Sequence, residues 1–282
     1  MIGKSRHARA VAPGTPVEAA ADVFELDCGV LRHAAPPGTY RHTRYPPARE
    51  LRDWVQHFWV ESWDLQNDEP QIREVLPHPC VHLVLARGRS RIYGVQLGRM
   101  VRRLEGRDCI VGVKFRPGAF YPFLQRPVRS LTNGSVPAAV FLQGAEHAEQ
   151  EVQHCRDERT KVEIASRLLL ANLPSNDSTV NLASAMVEDI ALNRGVTRVE
   201  HLVSRHNLSE RTLQRLFSRY VGASARWVIK RYRIFEALGR LAAGGAVDFA
   251  ALAQDLGYYD QAHLINDFRK LVGHSPAAYL EI

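Results

Sequence analysis

The sequence predicts an α+β fold, in which a β-rich domain, sandwich-like or barrel-like, precedes an all-α domain with two helix-turn-helix units. Three observations lead to this prediction. Short segments rich in β-branched and aromatic residues occupy the chain up to Phe115. From about Ala119 onward, apolar residues recur at helical spacing instead. One pattern of apolar and turn residues then occurs twice in the C-terminal half.

The composition is that of a globular protein, because 45% of the 282 residues are hydrophobic, 24% are charged and 8% are aromatic. These values argue against a disordered chain, a collagen-like fibre and a coiled-coil rod. No apolar run approaches the roughly 20 residues that span a bilayer. Pro13, Gly14 and Pro16 stand where a signal peptide needs an apolar core. We therefore expect a cytoplasmic protein, whose four cysteines show no CxxC spacing and are reduced.

These patterns divide the chain into three regions. Residues 1–20 are predicted to be a mobile tail, residues 21–175 a β-rich domain with C-terminal helices, and residues 176–282 the all-α domain. The polar run Pro174–Ser178 marks the boundary between the two domains. Thr160 and Glu163 have the spacing of a capping box, which predicts that a helix begins at Thr160, before that boundary. The clearest strand-like segments are Phe58–Trp63, Val81–Leu85, Arg91–Val95 and Cys109–Phe115.

The repeated pattern predicts two helix-turn-helix units, because each copy has a short helix, a turn and a second helix with apolar positions four residues apart. In each copy, one residue that tolerates a left-handed backbone ends the first helix, and one good N-cap begins the second. These residues are Asn207 and Ser209 in the first copy, and Gly257 and Asp260 in the second. The apolar pairs expected to face inward are Leu213 with Phe217, and Leu264 with Phe268.

The opposite faces of the two second helices carry side chains that can read base edges. Arg bonds guanine N7 and O6, Gln and Asn bond adenine N6 and N7, and an apolar side chain contacts the thymine methyl group. The predicted base-reading residues are Arg211, Gln214 and Arg215 in the first unit, and Gln261, Ile265 and Asn266 in the second. A plain helical bundle with a charged surface is the competing interpretation, and the duplication makes it the less favoured one.

Positive charge is concentrated around the first unit. Nine basic and two acidic residues between Arg205 and Arg240 give this segment a charge of +7, which equals the net charge of the whole chain. Basic residues interleaved with aromatic ones are typical of a surface that binds a phosphate backbone. The predicted phosphate contacts are Arg205, Arg219, Lys230, Arg231, Arg269 and Lys270. Because the second unit is close to neutral, we expect the first unit to dominate the affinity for DNA.

A helix over residues 225–241 is predicted to link the two units. At 1.5 Å per residue, its roughly 17 residues span about 25 Å. Such a spacer can place the two second helices in successive segments of the major groove, whose repeat is about 34 Å.

Two segments resemble the C-terminal domain of AraC/XylS-type transcription regulators. They are Leu208–Phe217 in the first unit and Leu256–Leu264 in the second. The resemblance runs from Val180 to the end of the chain and implies an all-helical module that binds double-stranded DNA with two recognition helices. Ala225 stands where the family often has Pro, and Asn266 stands where it often has Arg. The second difference weakens the readout expected of the second unit.

The family resemblance leaves further partners and two other functions open. The possible further partners are RNA polymerase, a second copy of the chain and an unknown small-molecule effector. No cofactor, metal or catalytic activity is expected.

One alternative function is that of a DNA-targeted enzyme, since some DNA-repair methyl-transfer proteins carry the same helical module beside a nucleophilic cysteine. Cys80 would then be the candidate, because histidines flank it. The other alternative is an interaction protein that uses the same fold without binding DNA.

Residues 76–84 and 112–118 resemble a β-rich domain that is fused to AraC-type modules in bacterial regulators. By that analogy, the N-terminal half would sense an effector, dimerise, or do both. The residues expected to line an effector pocket are Trp59, Trp63, His78, His82 and Arg116. Trp54, Phe58, Trp59 and Trp63 could together line such a pocket, but aromatic side chains in a core are the commoner case for all four.

Two short motifs in the N-terminal half have a chemical and a structural interpretation. His78, Cys80 and His82 alternate and have the side-chain chemistry of zinc or copper ligands. Because the prolines between and before them argue against a regular strand, local packing is the favoured interpretation. The segment Arg116–Gly118 can form an anion-binding turn in front of a short helix, or a structural turn, which is favoured.

Overall fold

The computed structural model describes residues 38–65, 70–244 and 247–281. The predicted mobile tail and Cys28 lie outside these residues. The described strands are β1 (Gly38–Tyr45), β2 (Val55–Leu65), β3 (Gln71–Val75), β4 (His82–Leu85), β5 (Arg91–Tyr93), β6 (Met100–Leu104), β7 (Arg107–Phe115) and β8 (Ser135–Pro137). The described α-helices are α1 (Tyr121–Leu124), α2 (Ala145–His154), α3 (Glu158–Ala171), α4 (Ser178–Leu192), α5 (Val199–His206), α6 (Glu210–Leu216), α7 (Ala225–Ala242), α8 (Phe249–Asp255), α9 (Gln261–Val272) and α10 (Pro276–Leu280).

The β-rich part consists of two antiparallel sheets. One has six strands in the order β1-β2-β7-β4-β5-β8, and the other is the ribbon of β3 and β6. The four predicted strand segments are confirmed as β2, β4, β5 and β7. The other four strands were not predicted, because each is either very short or has polar residues between its apolar ones. Their pairing partners in the fold, rather than local propensity, make them strands.

The described residues pack into two large hydrophobic cores. The first core lies between the six-stranded sheet, which contributes Phe58 and Phe115, and the helices from α1 to the N-terminal part of α7, where Ile229 is its last residue. Trp54 and Phe58 belong to this core. The second lies among the C-terminal half of α7 and the helices α8 to α10, and Leu76 from the N-terminal half inserts into it. Residues of the β-rich part therefore contribute to both cores.

The helix before the predicted domain boundary begins earlier than expected. The N-cap of α3 is Asp157, whose carboxylate accepts a hydrogen bond from Thr160 N at 2.7 Å. The predicted capping box with Thr160 as N-cap is wrong, because Asp is a better N-cap than Thr and Thr160 lies inside the first turn. Residues 172–177 separate α3 from α4, and Asn193 caps the C-terminus of α4. Among the described helices, none has the length and the hydropathy needed to cross a bilayer.

Candidate nucleic-acid interface and buried cavity

The first helix-turn-helix unit is formed by α5 and α6. Asn207 follows α5 in the left-handed conformation, with φ of 50°, and ends the helix there. Ser209 then caps α6, since its hydroxyl accepts a hydrogen bond from Thr212 N at 3.1 Å. Leu213 and Phe217 are buried in the first core. Each of these four features agrees with the sequence prediction.

The outer face of α6 is free of core contacts at the predicted base-reading positions. Arg211, Gln214 and Arg215 are all exposed. Behind them, the helix continues as a π-helical turn, Phe217–Val221, which Gly222 ends with φ of 87°. A side chain at Gly222 would meet Val128 of the β-rich part, and Thr132 Oγ1 donates a hydrogen bond to Gly222 O at 2.6 Å. The first unit is thus attached to the β-rich part behind its exposed face.

The second unit repeats this construction with α8 and α9. Gly257 has φ of 69° in the turn, and the Asp260 carboxylate caps α9 by accepting from His263 N at 2.7 Å. Leu264 and Phe268 are fully buried in the second core. The three residues predicted to read bases lie on the opposite side, where Gln261 and Asn266 are exposed and Ile265 is half-buried.

The predicted linking helix is α7, and it contacts both units. The Ser224 hydroxyl caps it by accepting from Trp227 N at 3.2 Å. Lys230 Nζ forms an ion pair of 2.9 Å with Asp267 of α9, an almost fully buried carboxylate. Lys230 therefore ties α7 to the second recognition helix, and its predicted phosphate contact would compete with this ion pair.

The other predicted phosphate residues lie in three kinds of environment. Arg205 forms two hydrogen bonds of 2.8 and 2.9 Å with Asp189, and these bonds lower the pKa of that carboxyl group. Arg219 donates to Tyr121 Oη at 2.7 Å and stacks over the same ring, although the residue remains exposed. Arg269 and Lys270 are exposed in the last turn of α9.

Arg231 corrects the sequence prediction, because its side chain is 1% exposed and does not reach the surface. Its Nε donates to Pro77 O at 2.6 Å, and its Nη2 lies 2.7 Å from His78 Nδ1. The guanidinium group stacks over the ring of Phe235 at 3.7 Å. In this structure Arg231 is a buried contact between α7 and the β-rich part and is not available to a phosphate group.

A cavity of about 420 Å³ lies between the six-stranded sheet and the ribbon of β3 and β6. Four of the five predicted pocket residues line it, namely Trp59, Trp63, His78 and His82. Arg116 is the exception, because its guanidinium group binds Glu188 of α4 at 2.6 Å and does not line the cavity. Lys114 also lines the cavity and is almost fully buried, and no sequence pattern indicated it.

The two motifs with alternative interpretations lie at the cavity, in the case of His78, Cys80 and His82, and at the junction with α4, in the case of Arg116–Gly118. Within the described part of the chain, no three His, Cys, Asp or Glu side chains are grouped so as to hold a metal ion. Cys80 is only 4% exposed, and it lines the cavity. Pro117 O accepts a hydrogen bond from Ser184 Oγ at 2.6 Å, and Gly118 packs against Ala183. The predicted structural turn therefore attaches α4 to the sheet.

Two family models match parts of the chain. Residues 202–282 match a family described as a helix-turn-helix domain, and residues 43–137 match a domain of unknown function (DUF6597). The first match contains both capped units, and the second contains β2 to β8 with most of the cavity lining. No curated protein matches the chain.

Solved structures similar to the chain include three crystal structures of ToxT from Vibrio cholerae. They are an apo variant from strain SCE256, the P21 form at 1.65 Å and the protein from O395, which are 11%, 12% and 13% identical to the chain. The alignments cover 89%, 87% and 86% of this chain and 99%, 98% and 97% of the ToxT chains. The TM-scores are 0.34, 0.35 and 0.34, a likeness too low to support an inference about this chain.

Proposed function

We propose, from the premise that residues 202–282 form an AraC-type helix-turn-helix DNA-binding domain, that the chain is a bacterial transcription regulator that binds specific DNA sequences. One observation carries the proposal: the pair of capped units, in which α6 and α9 each bury an apolar face and expose polar side chains on the other. A helix that is anchored from behind and polar in front suits insertion into the major groove.

In this proposal the first unit reads bases with Arg211, Gln214 and Arg215, whose exposed side chains can bond purines. The second unit reads bases with Gln261, Ile265 and Asn266, whose contacts are weaker because none of these side chains is charged. The phosphate contacts are Arg205, Arg219, Arg269 and Lys270, since these side chains reach the surface. Lys230 keeps this role only where DNA displaces its ion pair with Asp267.

In this proposal, residues 21–175 form the regulatory domain and residues 176–282 form the DNA-binding domain. The cavity supports effector sensing, because it combines aromatic and polar side chains in a volume typical of ligand pockets, about 300–1,000 Å³. Dimerisation and contact with RNA polymerase in the cytoplasm complete the proposal as further roles of the same chain.

Replacing Arg215 with alanine tests the assignment of α6. Because a bidentate contact between arginine and guanine is lost, specific binding should weaken by about 1–3 kcal/mol, and one base position should become less selective. The measurement is fluorescence anisotropy on a high-affinity DNA fragment recovered by selection, together with its single-base variants.

The matched control for this prediction is Arg167→Ala, which removes an exposed arginine of α3 that is paired with Glu151. This variant should bind each fragment as the unchanged protein does. If Arg215→Ala weakens binding equally on every fragment, Arg215 contacts a phosphate and does not read a base.

A further inference from the structure

Four polar side chains form a row across one wall of the cavity. In the register of the six-stranded sheet, Lys114 of β7 is paired with His57 of β2 on one side and with His82 of β4 on the other. His82 is in turn paired with Tyr93 of β5. Because directly paired residues of neighbouring strands project from the same face, the four side chains lie beside one another, and all four line the cavity.

Lys114 supplies the charge of this row. Burial, followed by the charge of Lys114, lowers the pKa of His57 to about 2 and the pKa of His82 to about 3. Both imidazoles are therefore neutral at physiological pH, and each can donate one N–H hydrogen bond. The row thus combines one ammonium group with two imidazoles and a phenol, which are donors that suit a carboxylate or a similar acidic group.

The next part of the same wall is aromatic and apolar. The Trp59 indole lies directly over Gly112, where the Cβ of any other residue would overlap the ring. Trp63 and Ile110 continue the wall and form a small hydrophobic cluster with Leu104 of β6. The cavity therefore has a cationic region at Lys114 and an aromatic region beyond it.

The balance of charge around the cavity favours an anion. Five lining residues are basic, Arg44, Arg89, Arg102, Arg103 and Lys114, whereas Glu61 is the one acidic residue among the described residues of the lining. Arg102 pairs with Glu61, Arg89 with Asp108 and Arg103 with Glu105, so the charges of these three arginines are compensated within the protein. An anionic ligand would therefore be held by the donors of the row at Lys114 in a lining that has more basic than acidic side chains.

From this arrangement we infer that the cavity binds an organic anion, whose acidic group lies at Lys114 between His57 and His82, and whose aromatic or aliphatic body lies against Trp59 and Trp63. The inference rests on the proposed role of the N-terminal domain as an effector domain and names the chemical class of that effector.

The same row has a direct connection to the DNA-binding domain. His78 Nδ1 lies 3.2 Å from Lys114 Nζ and 2.7 Å from Arg231 Nη2, and Arg231 belongs to α7. Two residues earlier, Leu76 inserts into the second core. An anion at Lys114 changes the electrostatic field at the contact that holds α7 and the second unit to the β-rich part. Effector binding is thus coupled to the helix that links the two recognition helices.

The test is calorimetric titration of the full chain, without DNA, with 4-phenylbutanoate and with 4-phenylbutanamide, its uncharged analogue. A charge-assisted contact to Lys114 should make the acid bind about ten- to one-hundred-fold more tightly than the amide. Equal affinities for the two compounds, or no binding of the acid at millimolar concentration, would overturn the inference. This comparison uses the unchanged protein, so it does not depend on the folding of a variant.

Two variants assign the site. Lys114→Met should abolish the preference for the acid while it keeps most of the affinity for the amide, because methionine preserves the volume of the side chain. Arg167→Met, at an exposed position on α3, should leave both affinities unchanged. A preference that persists in Lys114→Met would place the anion elsewhere. Because these titrations contain no DNA, failure here is distinguishable from failure of the proposed DNA binding.

Discussion

Replacing Phe217 with alanine is expected to lower the free energy of unfolding by about 3–5 kcal/mol. The ring is fully buried at the end of the first recognition helix. It belongs to the core that also contains Phe115 of the sheet and Val228 of α7. Loss of the ring leaves a cavity in a core shared by the first helix-turn-helix unit and the β-rich part. Both should therefore lose stability together.

Urea unfolding, followed both by far-ultraviolet circular dichroism and by tryptophan fluorescence, measures this effect. The two transitions should move to lower urea by the same amount, since they report one shared core. The matched control is Tyr259→Ala, which removes an aromatic ring that is 93% exposed and should leave the midpoint unchanged. A shift of the circular-dichroism transition alone would mean that the two parts unfold independently.

Replacing Arg231 with methionine is the second change with a large expected effect. Pro77 O would lose its hydrogen bond from Arg231 in a buried site, at a cost of about 1–3 kcal/mol, whereas His78 Nδ1 would keep its contact with Lys114 Nζ. The stacking of the guanidinium group on Phe235 would be lost as well. The contact between α7 and the segment of residues 76–78 should therefore weaken, and the chain should unfold at lower urea.

Arg226→Met is the matched control for this change, because Arg226 lies on the same helix and is exposed. It should leave the free energy of unfolding unchanged within about 0.5 kcal/mol. Equal stabilities of the two variants would show that Arg231 contributes no net stability to the interface. They would also remove the proposed connection between the cavity and α7.

Local sequence signals predicted the helix-turn-helix units well. Asn207, Ser209 and Asp260 act through the backbone conformation or a cap of their own turn, so their roles are readable without the rest of the fold. The apolar spacing of Leu213 and Phe217 likewise fixes which face of the helix is buried. For the same reason the strands rich in β-branched and aromatic residues were found, whereas β1, β3, β6 and β8 were not.

The residues whose roles were not predicted owe those roles to their positions in the tertiary structure. Arg231 lies within a run of basic residues, yet α7 turns it towards Pro77 of a distant segment. Lys114 precedes Phe115 near the end of β7, after a run of apolar residues, and no pattern around it indicates a ligand site. Its role depends on the strands paired to either side, which no local pattern specifies. Arg116 was assigned to the pocket from its neighbours, but it projects towards Glu188 instead.

Sequence-specific DNA recognition is tested most directly by letting the full chain select binding sites from a random DNA library and sequencing the selected fragments. A domain with two recognition helices should recover a bipartite motif, whose two segments are centred about 10–10.5 base pairs apart. The segment read by α6 should be the more strongly constrained, because α6 offers two arginines where α9 offers none at its base-reading positions. A library that shows no enrichment would contradict sequence-specific DNA binding and favour an interaction protein with the same fold.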